Sequence, residues 1–322
     1  MTSTYFLYTK EKLNEISFPL GGIGAGCIGL AGNGRLIDWE IRNRPNKGSY
    51  NGYSHFAVKV EKDSRVIDAR ILNGDLHPPY SGSFGEGRYK SFGFGPPRAY
   101  LSGVPHFTDV EFQGEFPFAN LTFKDNTFPG KVSMTAFNPF IPLNDKDSSL
   151  PAAFFEIQVE NTTDEHLDYT LVSCIGNING RNIGYNKFTQ GGQVKGIRMG
   201  CRGVEPDDVR FGELSIVTDA QDISYQEYWY RGSWFDDLEM YWNDLSTPGK
   251  FTNRTYKGEE EARTIGSGNE IDMCTLAAHF HLNPGERKRV RFVLTWYYPN
   301  CYTYWKQQDQ GHFVNVHPIR CK

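Results

Sequence analysis

Phe18-Pro19-Leu20-Gly21-Gly22-Ile23-Gly24-Ala25-Gly26-Cys27-Ile28-Gly29 decides how the chain is read, because its last six residues match the glycine fingerprint of dinucleotide-binding folds while its neighbours contradict that reading. Such a fingerprint needs a buried strand before it and a helix after it, so that free N–H groups at the helix N-terminus meet the pyrophosphate. Pro19 interrupts the strand, and Gly32 and Gly34 fall in the first turns of the helix, each costing roughly 1 kcal/mol relative to alanine. Asn33-Gly34 predicts instead a hairpin turn, suited to the positive φ angles of type I′, that joins residues 27–30 to residues 36–41. No cofactor is expected.

Working outward, the same β reading holds. The 322 residues are 39% hydrophobic and 15% aromatic, enough to bury a large core, and 34 Gly and 17 Pro are scattered along the chain as turns between short strands would require. A net charge of -4 gives no broad attraction for phosphate backbones, which argues against nucleic acid as a partner. The compact basic cluster Arg287-Lys288-Arg289 with Arg291 reads as a solvated strand face. No apolar run reaches the roughly 20 residues of a transmembrane span, and the N-terminus lacks the charged and apolar regions of a signal peptide, so a cytoplasmic chain is expected. Its six cysteines, far apart and without a C-x-x-C pair, read as reduced thiols, not as a disulfide frame or a zinc site. The sequons at Asn120, Asn161 and Asn253 then carry no meaning.

Period-two alternation is clearest over residues 289–296, where Val290, Phe292, Leu294 and Trp296 share a face. Leu282-Asn283-Pro284-Gly285-Glu286 predicts a turn pairing that strand with residues 271–281, and Asn161-Thr162-Thr163-Asp164 predicts a second hairpin between residues 155–159 and 167–174. Further strands are expected over 56–60, 66–72, 108–112, 118–123, 132–137 and 213–218. Glycine, proline or β-branched residues break every window for a long amphipathic helix. The expected fold is therefore all-β: one large two-sheet antiparallel β-sandwich, of supersandwich type, over residues 1–300, with 301–322 a linker-like or truncated tail. Residues 81–97 and 181–203, dense in glycine, read as long loops.

Chemistry is harder to find. Glycoside hydrolysis needs two carboxylates about 5 to 10 Å apart across the scissile bond. Asp236-Asp237 stands beside Trp234-Phe235, but neighbouring residues on a strand point to opposite faces, and Asp207-Asp208 and Glu259-Glu260-Glu261 read as solvated surface. His279 and His281 share a strand face without a third ligand, so no metal site is expected. No G-x-S-x-G or Cys–His frame suggests a nucleophile, and no catalytic residue is assigned. The richest aromatic cluster is Tyr225, Tyr228, Trp229, Tyr230, Trp234, Tyr241 and Trp242. Each ring suits a sandwich core as well as a sugar or partner surface. Interleaved Arg231, Asp236, Asp237 and Glu239 imply an exposed part, and Tyr228, Trp229, Tyr230, Trp234 and Asp236 are its candidates.

The stretch 18–29, the strand Gly34-Arg35-Leu36-Ile37-Asp38-Trp39-Glu40-Ile41, Phe137-Asn138-Pro139-Phe140-Ile141-Pro142-Leu143, Asp147-Ser148-Ser149-Leu150-Pro151 and the 282–286 turn closing on Thr295-Trp296-Tyr297-Tyr298-Pro299-Asn300 together resemble the N-terminal domain of glycoside hydrolase family 116. That family includes non-lysosomal glucosylceramidases (bile acid β-glucosidases) and bacterial β-glucosidases. The resemblance implies a β-sandwich followed by a helical (α/α)6 barrel, and the barrel carries the glutamate nucleophile and aspartate acid of a retaining mechanism. No position here matches either carboxylate. The chain is thus expected to be a non-catalytic domain packing on that barrel, in cis or in trans, with any β-glucoside or glucosylceramide-like substrate met only through it. The alternative is a free-standing carbohydrate-binding β-sandwich. A docking surface would expose an apolar patch, expected from residues 84–94 and 228–235.

Overall fold

The protein was analysed as a computed structural model, which describes residues 6–77, 98–232, 236–256, 271–302 and 313–315. Strands dominate it, as expected. A nine-stranded sheet runs in the order β1 (Leu7–Thr9), β8 (Asp109–Glu115), β9 (Phe118–Lys124), β10 (Lys131–Phe137), β11 (Ala152–Glu160), β18 (Arg287–Tyr297), β15 (Glu213–Thr218), β14 (Val194–Cys201) and β13 (Gly184–Gly191). A six-stranded sheet runs β16 (Ile223–Gln226), β17 (Met273–Leu282), β12 (Leu167–Gly176), β5 (His55–Lys62), β6 (Arg65–Gly74) and β7 (His106–Phe107). All these pairings are antiparallel except β6 with β7. A small sheet of β2 (Ser17–Leu20), β3 (Cys27–Ala31) and β4 (Leu36–Glu40) stands apart, and β19 (Asn300–Tyr302) pairs with β20 (Phe313–Asn315). No helix among the described residues is long and apolar enough to cross a membrane.

The two large sheets face each other across one core. Val290, Phe292, Leu294 and Trp296 of β18 are buried, matching the alternation of the sequence, and β10 buries Val132, Met134 and Ala136 in the same way. Contact between the layers is direct: the Phe56 ring of β5 lies 4.8 Å from Phe155 of β11 and 5.8 Å from Phe292 of β18.

Two expected hairpins are arches. Strand β11 lies in the nine-stranded sheet and β12 in the six-stranded one, so the turn at Asn161 crosses between layers, and the turn at 282–286 does the same from β17 to β18. The two arches are stitched together by Asn161. Its N–H donates to Glu286 O and its carbonyl accepts from Gly285 N, both at 2.9 Å, while its side-chain amide donates to Glu165 O at 2.7 Å and Leu282 O at 3.1 Å. The Asn161 sequon is thus occupied by fold-making bonds.

Other expectations are corrected locally. The turn after β3 is a three-residue loop closed by Ala31 N to Arg35 O at 2.8 Å, with Gly34 at φ +98 and Asn33 outside the left-handed region, so it is not type I′. Pro19 is accommodated within β2 because β2 is an edge strand, where a missing N–H breaks no ladder. Residues 184–201 are a hairpin with the two-residue loop Gly192-Gln193, and residues 81–97 lie outside the described residues. The largest difference is a helix, α2 (Asp236–Leu245); with the segments before and after it, the helix covers the outer face of the six-stranded sheet. A four-residue helix, α1 (Asp145–Ser148), precedes β11.

Beneath α2 lies a second apolar layer of Ala57, Val172, Cys174 and Ala277 against Tyr53, Trp229, Tyr241 and Leu245. His55 is buried in it. Its Nδ1–H donates to Tyr53 O at 2.5 Å, which leaves Nε2 to accept from the Tyr241 hydroxyl at 2.9 Å. Burial lowers its pKa from 6.5 to about 4, and desolvation lowers that of His279 likewise to about 4. The unfolded chain therefore takes up protons that the folded chain refuses, and stability is full above about pH 6.5 and falls as pH drops toward 4. Denaturant titrations at stepped pH should show that loss well above the range in which the Asp125 and Asp208 carboxylates, held at about 2, protonate. His55→Gln should flatten the slope, and an unchanged slope would exclude His55 as its source.

Candidate docking surface

The glycine-rich stretch is a packing element. A Cβ on Gly22 would sit 2.4 Å from Leu150 O, so only glycine lets this loop lie against residues 149–150. Trp296 at the end of β18 donates its indole N–H to Ala25 O at 2.7 Å. Asn138, after β10, donates to Pro19 O at 2.8 Å and accepts from Gly21 N. Ile23 N donates to Ser148 O at 2.8 Å. Past β4, Asn43 donates to Tyr298 O at 2.6 Å and to Asn300 O at 3.0 Å. Residues 18–29, 137–151 and 295–300, far apart in sequence, thus meet at one end of the sandwich.

That end is apolar outside as well as inside. Ile23, Phe116, Phe118, Phe140, Ile141, Leu143 and Leu150 are exposed there. Phe116 and Phe140 meet edge to face at 5.3 Å. Phe118, Phe137 and Phe154 occupy neighbouring rungs of β9, β10 and β11 on the solvent side, with ring centroids 5.8 and 5.1 Å apart, and the same row continues into Val293 and Val217. An exposed row of apolar rings on a rigid scaffold is a candidate interaction surface.

Within the patch the 140–148 loop is strained yet fixed. Leu143 is 107% exposed and adopts φ +65, a left-handed conformation that costs an ordinary side chain about 1–2 kcal/mol. The buried Ser148 hydroxyl accepts from Ile141 N at 2.9 Å and donates to Ile141 O at 3.1 Å. Asn144 N also donates to Ile141 O, and the Asn144 side chain caps α1 by accepting from Asp147 N at 3.1 Å.

The aromatic candidates lie elsewhere, in the layer over the six-stranded sheet. Trp229 is buried, stacks on Tyr241 with centroids 4.0 Å apart, and donates its indole N–H to Thr275 Oγ1 at 2.8 Å, so no ring face remains for a ligand. Tyr228 is buried, its hydroxyl accepting from Asn186 N at 2.9 Å. Tyr230 is exposed, Asp236 is half-buried at the start of α2, and Trp234 lies outside the described residues. Asp236 and Asp237 thus stand on a helix and not on a strand. Residues 84–94, the other expected patch, also lie outside the described residues.

The charged side chains Asp272, Arg231, Lys59 and Glu61 are committed to one another and to the backbone. Asp272 holds Arg231 through two bonds, at 2.9 and 2.6 Å, and Arg181 at 3.2 Å, while the Arg231 guanidinium packs against the Tyr228 and Tyr256 rings. Buried Lys59 pairs with Glu61 at 2.9 Å and donates to Thr247 O and Gly249 O. A groove of about 530 Å3 is lined by Asp168, Asp222, Lys250, His279 and His281, among others. Its histidines diverge in role: His279 bridges the Thr170 and Ser224 hydroxyls at 3.0 and 2.8 Å, and exposed His281 pairs with Asp168.

Sequence reasoning missed Phe116, Phe118, Phe137, Phe140, Ile141, Leu143 and Leu150 as a surface. A signal was present. Phe118 has the opposite parity to Ala119, Leu121 and Phe123, and Phe137 the opposite parity to Val132, Met134 and Ala136, so both must point away from the core.

A family profile described as beta-glucosidase 2, glycosyl-hydrolase family 116 N-term, matches residues 17–318. Among solved structures, a protein described as a kojibiose phosphorylase from human microbiome is 13% identical, with 88% of this chain and 30% of that chain covered at a TM-score of 0.38. A polysaccharide lyase is 12% identical, with 92% of this chain and 33% of that chain covered at a TM-score of 0.33. The chain spans about a third of the length of each.

Proposed function

We propose, for a chain that belongs to the N-terminal domain family of glycoside hydrolase family 116, a non-catalytic role: it packs on the catalytic (α/α)6 barrel of a β-glucosidase and braces that barrel's active-site mouth. A β-glucoside or glucosylceramide-like substrate is then met only through the barrel, and a cytoplasmic location accompanies the reading. One observation carries it. Three of the segments through which the chain resembles its family, residues 18–29, 137–151 and 295–300, assemble at the end where exposed Phe116, Phe118 and Phe140 form an apolar face. Residues selected for chemistry would converge on a polar cleft, whereas these converge on a surface suited to burial against another domain.

Hydrolysis by a retaining glycosidase needs a nucleophile and an acid placed across one bond. Asp38, Glu61, Glu227 and Asp272, all buried, are instead held by Ser17 and Gly48, by Lys59, by Phe188 N and by two arginines. The purified chain should therefore leave aryl β-glucosides uncleaved over the spontaneous rate. Turnover that follows the protein through purification and disappears on mutating one of its own carboxylates would overturn the assignment. Saturable binding of glucose or cellobiose in a calorimetric titration of the chain alone would favour a carbohydrate-binding module instead.

A further inference from the structure

We propose, on the reading that this chain docks on a family 116 catalytic domain, that Phe140-Ile141-Pro142-Leu143 is the anchor of the contact: Leu143 enters an apolar socket on that domain, and Phe116 and Phe140 pack around the socket's rim. Leucine is a poor residue for its position on folding grounds. It is wholly exposed, so it buries nothing, and its positive φ suits glycine or asparagine better. The loop is nonetheless fixed by Ser148 and Asn144 from within and by Ile23 from outside. Backbone strain maintained by surrounding bonds, with an apolar side chain held out into water, is the arrangement of a binding loop whose ordering cost is met before the partner arrives.

The catalytic domain is the fitting occupant, because the loop is continuous with segments through which the chain resembles its family, and the family profile spans residues 17–318. Residues 137–143 are one of those segments, and Gly22 and Ile23 of another lie directly against residues 148–150. Tyr298 and Asn300, held by Asn43, run beside the same end.

Leu143→Asn separates a binding role from a structural one, since asparagine tolerates the left-handed conformation and removes the apolar contact. The 322-residue chain carrying it should melt at or above the temperature of the parent, and its affinity for a separately produced family 116 catalytic domain should fall about tenfold or more. Tyr230→Ser, on the opposite sheet's covering layer, should leave that affinity unchanged. A lowered melting temperature would make Leu143 a folding residue and overturn the proposal. Parent-like affinity of Leu143→Asn would overturn the anchor while leaving the docking role in place, and no binding by the parent chain would overturn both. Self-association of the chain that Leu143→Asn abolishes without changing affinity for the catalytic domain would assign the loop to a second copy and also overturn it.

Discussion

Replacing Trp296 with alanine should lower the unfolding free energy by about 3–5 kcal/mol, read as a shift of the urea midpoint at unchanged slope. The side chain is 3% exposed and closes the inward row of β18. Its loss leaves a cavity the size of an indole between the sandwich and the glycine-rich loop, and it strips Ala25 O of its donor. Both costs act at the end where residues 18–29 are held. Trp296→Phe fills most of the cavity but still abandons the carbonyl, so it should fall between the parent and the alanine variant. An unmoved midpoint would mean that β18 is out of register by one residue, which would reverse every side chain on it.

Asp272→Ala should be as damaging, at about 3–5 kcal/mol, for an electrostatic reason. Asp272 is 2% exposed and is the carboxylate shared by Arg231 and Arg181, both with side chains 9% exposed. Removing it takes from the Arg231 guanidinium the carboxylate that holds it through two bonds, and takes one bond from Arg181. Arg231 is confined further by the rings of Tyr228 and Tyr256, so it has little freedom to reach solvent. Raising the salt concentration should not restore the loss, because screening acts weakly on buried charge. A cost below about 1 kcal/mol would place this cluster in the solvated class of ion pairs.

The sequence made one layer of this protein legible and hid another. Strands such as β9, β10 and β18 show clean alternation because only one of their faces is covered. Strands β5, β12 and β17 are buried on both faces, so the pattern that marks an inside and an outside is lost there. What covers them was missed for a related reason. Helix α2 buries Asp237, Tyr241 and Leu245 at four-residue spacing, but the first of these is acidic and the helix is only ten residues long, too little for a periodic signal. The aromatics before it then had no assigned partner layer, and Trp229 resembled a ligand platform as much as a core residue.

Turn chemistry misled in a different way. Asn161-Thr162-Thr163 and Asn283-Pro284-Gly285 have the residues of tight turns, and they do turn the chain, but the same local chemistry serves a hairpin and an arch. Which one forms depends on whether the returning strand finds a better partner in its own sheet or in the facing one. Here β11 pairs with β18 and β12 with β17, a non-local choice that no window of a few residues contains. The apolar end, by contrast, was within reach of strand parity, since Phe118 and Phe137 stand on the wrong face for a core.

The central claim, a non-catalytic domain that docks through its apolar end, is tested most directly by hydrogen–deuterium exchange of the chain with and without a family 116 catalytic domain. The expected result is protection concentrated at residues 21–25, 116–118 and 137–150, with the Tyr228 and Trp229 segment unchanged. Protection confined to the α2 layer, or no complex at all, would contradict it.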